Sequence, residues 1–123
     1  MKNLICYCDT GLLYENCCGQ YHKNKKAPTV LALMRSRYSA FATHQAAYLL
    51  ETTHISERRF YSKEAILDWA TSNKWLKLEI INFTENTVEF KAFYKAENQV
   101  EHIHHEFSTF VKEREKWFFL KGE

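Results

Sequence analysis

A chain of 123 residues, 46% hydrophobic and 15% aromatic, with a net charge of +2, is large enough for one folded domain and a small appendage. Three glycines and one proline are too few for a turn-rich sandwich or a flexible linker. The 17 basic residues are interspersed with 15 acidic ones, and the longest basic cluster, Lys23, Lys25 and Lys26, is too short for a phosphate-tracking surface, so charge argues against nucleic acid as the partner.

No apolar run approaches the roughly 20 residues of a membrane span. The opening MKNLIC has no hydrophobic region of the kind a secretory signal needs. Both point to a cytoplasmic location, where structural disulfides are uncommon. All four cysteines lie in CYCDTGLLYENCC, residues 6–18. Adjacent Cys17 and Cys18 would make a strained bridge with each other, and pairing them with Cys6 or Cys8 would staple only a dozen residues. Zinc suits the spacing better: Cys6-x-Cys8 supplies two thiolates from one turn, Gly11 lets the chain reverse, and Cys17-Cys18 closes a tetrahedral cage. Such a knuckle has little core, so metal binding would supply its folding free energy. Two alternatives stand beside the four-thiolate cage: His22 replaces one cysteine, or the neighbouring thiols form a redox sensor.

Beyond KNKKAP, residues 23–28, the period becomes helical. Val30, Leu33, Met34, Tyr38 and Phe41 predict a helix from Thr29 to about His44, with Thr29 as N-cap. A second helix is expected from about Gln45 to Thr53. A third runs from near Ser62 to about Asn73, carrying Ile66, Leu67, Trp69 and Ala70. The intervening HISERRFY reads as an irregular connector. After Lys74 the pattern alternates with period two, predicting strands over 75–81, 88–95, 100–112 and 117–121. Three helices followed by a four-stranded antiparallel meander give an α+β fold, with residues 1–26 as knuckle and 27–123 as body.

The third predicted strand carries Glu101-His102-Ile103-His104-His105-Glu106. Alternation puts His105 with Ile103, Phe107, Thr109 and Val111, hence inward, as a core or pocket-lining histidine. His102, His104 and Glu106 then fall on the solvent side. Arg37 lies near the apolar stripe of the first helix, where an ion pair at its edge is expected. Arg35, on the other side, could reach the knuckle's carbonyls or a carboxylate such as Glu106; a structural tie between knuckle and body is the expected role of both arginines, with binding of an anionic ligand as the alternative. Trp69, Trp75 and Trp117 are expected in the core or a pocket wall, with Tyr38 near them. No carboxylate dyad, activated nucleophile or cofactor fingerprint appears, so no catalytic residue is assigned.

Cys6-x-Cys8, Gly11, Tyr14 and Cys17-Cys18 resemble the SEC-C motif, a short zinc-binding knuckle also found at the C-terminus of the SecA translocation ATPase. With APTVLALMRSRYSAFATHQAAYLLETTH, Trp75-Leu76-x-Leu78-Glu79 and His105-Glu106-x-Ser108-x-Phe110, the chain resembles the YchJ family of small bacterial proteins. That resemblance implies an N-terminal zinc knuckle on Cys6, Cys8, Cys17 and Cys18, followed by a body similar to nuclear transport factor two and to the cystatin-like cone folds. Tyr7 and Asp9 stand where the family usually has proline and glycine, and many relatives carry a second knuckle that these 123 residues lack. Because SecA's knuckle takes part in partner recognition, the resemblance implies a non-enzymatic zinc protein that docks on a protein partner. Tyr7, Leu12, Leu13 and Tyr14 would form the contact surface. The alternatives are a ligand-binding protein or enzyme that uses a cavity between helices and sheet, and a thiol redox sensor. Aromatics on both faces of the last two strands, Phe110 and Phe118, suggest a homodimer through the sheet.

Overall fold

The structure, a computed structural model, describes residues 4–123. The chain begins with a reversal in which Ile5 bridges Leu13, Cys6 N–H donates to Leu12 O and Tyr14 N–H donates to Leu4 O. Two left-handed residues, Asp9 (φ 68°) and Gly11 (φ 87°), turn the loop between them. A 3₁₀ turn, Tyr14–Asn16, leads into the short helix α1, Cys18–His22.

The body starts at α2, Val30–Ala42, whose N-cap Thr29 accepts from Ala32 N–H. Helices α3, Ala46–Glu51, and α4, Lys63–Ser72, follow, the latter capped by Ser62. The expected irregular connector is instead a 3₁₀ segment, Ile55–Phe60, because the His54 side chain accepts from Ser56 N–H and starts a turn. Strands β1, Lys74–Phe83, β2, Thr87–Lys95, β3, Glu101–Glu113, and β4, Lys116–Gly122, form one antiparallel sheet in the order β1-β2-β3-β4. The α+β class and the four-strand meander agree with the sequence reading.

The helices cover one face of the sheet, where Leu78, Val88, Phe90, Ala92, Phe110 and Phe119 are buried against Val30, Leu33, Met34 and Tyr38 of α2. Each edge strand of the sheet is met at one point by another part of the chain, which blunts some of its unpaired backbone groups. On β4, Phe119 N–H donates to Thr52 O and His54 N–H donates to Phe119 O. On β1, Leu78 N–H donates to the Asp9 carboxylate of the knuckle at 2.8 Å. Among the described residues no helix is long and apolar enough to cross a membrane.

The face assignment of β3 differs from the sequence expectation. Residues directly opposed in antiparallel strands share a face. Val88, Phe90 and Ala92 of β2 oppose Ser108, Glu106 and His104, so these three point towards the helices. His105 points away, half exposed, with Nε2 2.8 Å from Glu89 Oε2. Ile103 and Phe107 lie on the same open face and are likewise exposed. Polar residues occupy the inner face because part of it lines a cavity rather than a dry core.

Candidate metal centre

The reversal and the 3₁₀ turn converge the four cysteines on one point. Their sulfurs all lie within 4.8 Å of one another, and each residue is buried, from 0% exposed at Cys8 and Cys18 to 7% at Cys17. Cys8 Sγ is 3.6 Å from Cys17 Sγ, which is 4.0 Å from Cys18 Sγ. Four thiolates bound tetrahedrally at about 2.3 Å stand roughly 3.8 Å apart, so the donor set and its spacing fit a tetrahedral metal ion. The cysteines carry no disulfide.

Crowding separates the thiols' proton affinities. Hydrogen bonds from Cys18 and Cys8 hold the Cys6 thiol far below its ordinary value. Cys18 is pushed far above it by the Cys6 and Cys8 thiols and by burial. At Cys8, a hydrogen bond with Cys18 pulls downwards, but Cys6 and burial outweigh it and push the thiol up to about 11. A buried cluster that stabilises thiolate character but cannot spread the negative charge is the electrostatic setting a divalent cation relieves. Around it, Ser39 Oγ lies 3.5 Å from Cys6 Sγ and Thr10 Oγ1 lies 3.2 Å from Cys17 Sγ, placing hydroxyls to orient the ligands.

The centre is fastened to the body by side chains of α2 and by Asp9. Arg35 Nη1 donates to Cys8 O at 2.6 Å. His22, weighed from sequence as a spare ligand, turns away from the sulfurs. Its Nε2 donates to Ser36 O at 2.8 Å, which leaves Nδ1 to accept from Tyr14 and from Gln45 Nε2. Burial lowers the His22 pKa, in keeping with a neutral structural imidazole. Tyr14 is drawn into this network and Leu13 is half-buried; among the described residues, the large apolar side chains left exposed on the knuckle are Leu4, Ile5, Tyr7 and Leu12.

On the other side of α2 lies a cavity of about 320 Å³ between helices and sheet. Tyr38, Trp69, Trp75 and Glu106 line it; Arg35 and His105 do not. Trp69 is 46% exposed at its rim, and Tyr38 is buried with its ring edge-on to Trp75. Two further lining residues, Arg37 and His104, depart from the sequence expectation. Arg37 is buried rather than ion-paired at an edge, and its Nη1 donates to Leu49 O, Thr52 Oγ1 and Thr53 Oγ1. His104 Nε2 lies 2.7 Å from Glu106 Oε1, and Ser108 Oγ donates to Glu106 Oε2. The signal for these residues was present: the short turn from Ala96 to Val100 pairs Lys95 with Glu101, which fixes His104, Glu106 and Ser108 opposite the apolar face of β2.

The family model for the YchJ middle domain, described as NTF2-like, matches residues 29–122. A UPF0225 protein of Haemophilus influenzae strain PittEE is 36% identical over 121 residues, covering 94% of this chain and 75% of that one. A UPF0225 protein of Actinobacillus succinogenes is 35% identical, with 94% and 79% covered. The solution structure of a SEC-C motif containing protein from Rhodopseudomonas palustris superposes with a TM-score of 0.88 at 34% identity, covering 98% of each chain. The crystal structure of a SEC-C motif containing protein from Psychrobacter arcticus does so at 0.79 and 31%, covering 98% of this chain and 81% of that one.

Proposed function

This chain belongs to the YchJ family, and from that premise we propose that it is a non-enzymatic zinc protein whose SEC-C-like knuckle docks on a protein partner. The observation that carries the zinc reading is the set of four buried sulfurs at the spacing of a tetrahedral site. Among ions that take such a site, zinc favours four thiolates and needs no open position when its role is structural. Bound there, it would offset half of the charge of four thiolates and close the loop. Cys6, Cys8, Cys17 and Cys18 would hold it, Ser39 and Thr10 would orient their sulfurs, and Arg35 and Asp9 would fix the closed loop against α2 and β1. Burial of all four sulfurs favours this cage over a redox sensor, whose thiols must meet an oxidant.

Docking is supported by the apolar side chains that the closed loop holds in solvent, with Leu4 62%, Ile5 58% and Leu12 54% exposed beside Tyr7. The test has two parts. Protein purified without chelator should carry one zinc per chain by elemental analysis, with thiols that titrate only after extraction; metal-free protein with reactive thiols overturns the zinc reading. A Tyr7→Asp, Leu12→Asp double variant should keep its metal yet lose a partner that the unaltered protein captures specifically. An identical captured set from both proteins overturns the docking reading.

A further inference from the structure

The cavity on the far side of α2 has a construction that the metal centre does not explain. Its floor is Arg37, only 9% exposed. All three of its hydrogen bonds leave from Nη1, and the guanidinium lies 4.5 Å over the Phe119 ring. Among the described residues no acceptor meets Nε or Nη2, and no carboxylate pairs with the guanidinium. Yet no sealed-off side-chain nitrogen lacks a partner, so these atoms reach the cavity that Arg37 lines. Nε–H and Nη2–H form the parallel donor pair that fits the two oxygens of one carboxylate.

The nearest acidic wall does not fill that role. Both oxygens of Glu106 are engaged, one by His104 and the other by Ser108. Apart from Met34 and Ala92, the rest of the lining is aromatic. Trp75 packs with Trp69 at 6.2 Å and with Tyr94 at 5.3 Å, and Phe90 closes the sheet side. A volume of about 320 Å³ lies at the small end of ligand pockets, suited to one or two rings. We propose that this cavity binds a small aromatic monocarboxylate, its carboxylate on the Nε–Nη2 edge of Arg37 and its ring among Trp75, Phe90 and Tyr94. Phosphate esters fit less well, because a dianion would meet a single cation with Glu106 close by. The proposal is independent of the metal reading, since none of the cavity's lining residues is a cysteine.

The test uses benzoate, phenylacetate and 2-naphthoate, each against its primary amide, titrated calorimetrically into the full chain and followed by NMR at the Trp69 and Trp75 indole N–H signals. At least one acid should bind saturably and at least about tenfold more tightly than its amide, the loss expected when a bidentate charged contact becomes a neutral one. Glu106→Gln should tighten acid binding several-fold by removing a like charge. Ala92→Phe, which places a ring in the cavity and keeps the Arg37 guanidinium, should abolish binding while leaving the circular dichroism spectrum native. Arg37→Lys should weaken the acid about tenfold and the amide little. No saturable binding by any acid overturns the proposal. Equal affinity of acid and amide, or binding that survives Ala92→Phe in a folded protein, overturns it as well.

Discussion

Asp9 couples the knuckle to the sheet through one hydrogen bond, and its replacement has a calculable cost. Its carboxylate accepts Leu78 N–H at 2.8 Å, at the point where β1 has no further strand to pair with, and its backbone sits at φ 68°. A hydrogen bond to a charged group contributes about 1.5–3 kcal/mol, and the lower figure applies because Asp9 is exposed. Alanine also raises the strain of a left-handed residue, by about 1 kcal/mol. Asp9→Ala should therefore cost about 2.5 kcal/mol. Asp9→Asn keeps an acceptor and tolerates the same φ, so it should cost under about 1 kcal/mol. Asp9→Gly loses the bond but relieves the backbone and should fall between them. With an unfolding entropy near 2.1 cal/mol/K per residue, 1 kcal/mol moves the melting temperature of 123 residues by about 4 °C. Thermal melts of the three variants with bound metal should thus fall by about 10 °C for alanine, less for glycine and least for asparagine. If alanine and asparagine melt together, or alanine melts with the unaltered protein, the bond to Leu78 does not hold the knuckle down and the reasoning fails.

Gly19 lies against Tyr14, where an added Cβ would stand 2.8 Å from Tyr14 O, so Gly19→Ala should cost about 1–3 kcal/mol and speed metal loss to a chelator; unchanged melting and metal retention would refute it. Arg35→Ala, which frees Cys8 O from Nη1, should likewise accelerate chelator extraction while leaving the sheet's circular dichroism intact, and an unchanged extraction rate would count against the anchoring role. His104 and Glu106 set a pH window. The hydrogen bond to Glu106 raises His104 above 6.5, so its stabilisation is complete below that value and is lost as pH rises through the folded pKa. Burial pushes Glu106 up, but hydrogen bonds from His104 and Ser108 and the charges of His104 and Arg37 outweigh it; its stabilisation is present above about 4.5 and lost as pH falls through the lower folded pKa. The pair therefore contributes most between about pH 4.5 and 6.5, and His104→Gln should flatten the rise in melting temperature on lowering the pH from about 8 to 6. Parallel curves for the two proteins would contradict this.

Period and capping made most of the fold legible. Thr29 and Ser62 announce α2 and α4 through side chains that satisfy their first N–H groups, and the alternation of Val88, Phe90 and Ala92 defines the inner face of β2 without ambiguity. The cysteine spacing likewise pointed to the cluster the chain forms. β3 misleads because two of its apolar residues, Ile103 and Phe107, lie on the open face and suggest an inward parity for the residues alternating with them, while His104, Glu106 and Ser108 occupy the inner face with Phe110. Hydrophobic counting fails on a strand whose inner face lines a polar-ended cavity, whereas register passed across the 96–100 turn succeeds. Arg37 escaped for a related reason. A lone arginine near an apolar stripe ordinarily extends to water, and only the carbonyl and hydroxyls gathered where α3 ends, from Leu49, Thr52 and Thr53, reveal that this one is held inside.

Helix α2 has no fully exposed position: every residue from Val30 to Ala42 is buried or half-buried. One side meets the knuckle through Arg35, Ser36 and Ser39, and another meets the cavity through Met34, Arg37 and Tyr38. A helix with a wet side can accumulate neutral substitutions there, since surface changes ordinarily fall within about 0.5 kcal/mol. This one has little such reserve. In a saturation scan, MRSRYSAF should form the least permissive window in the chain, with Ser36 and Ser39, fully enclosed and too small to trim, as intolerant of enlargement as Leu33 is of truncation. The segment would then read as a barcode, not because any single position performs chemistry but because nearly every position is someone else's wall.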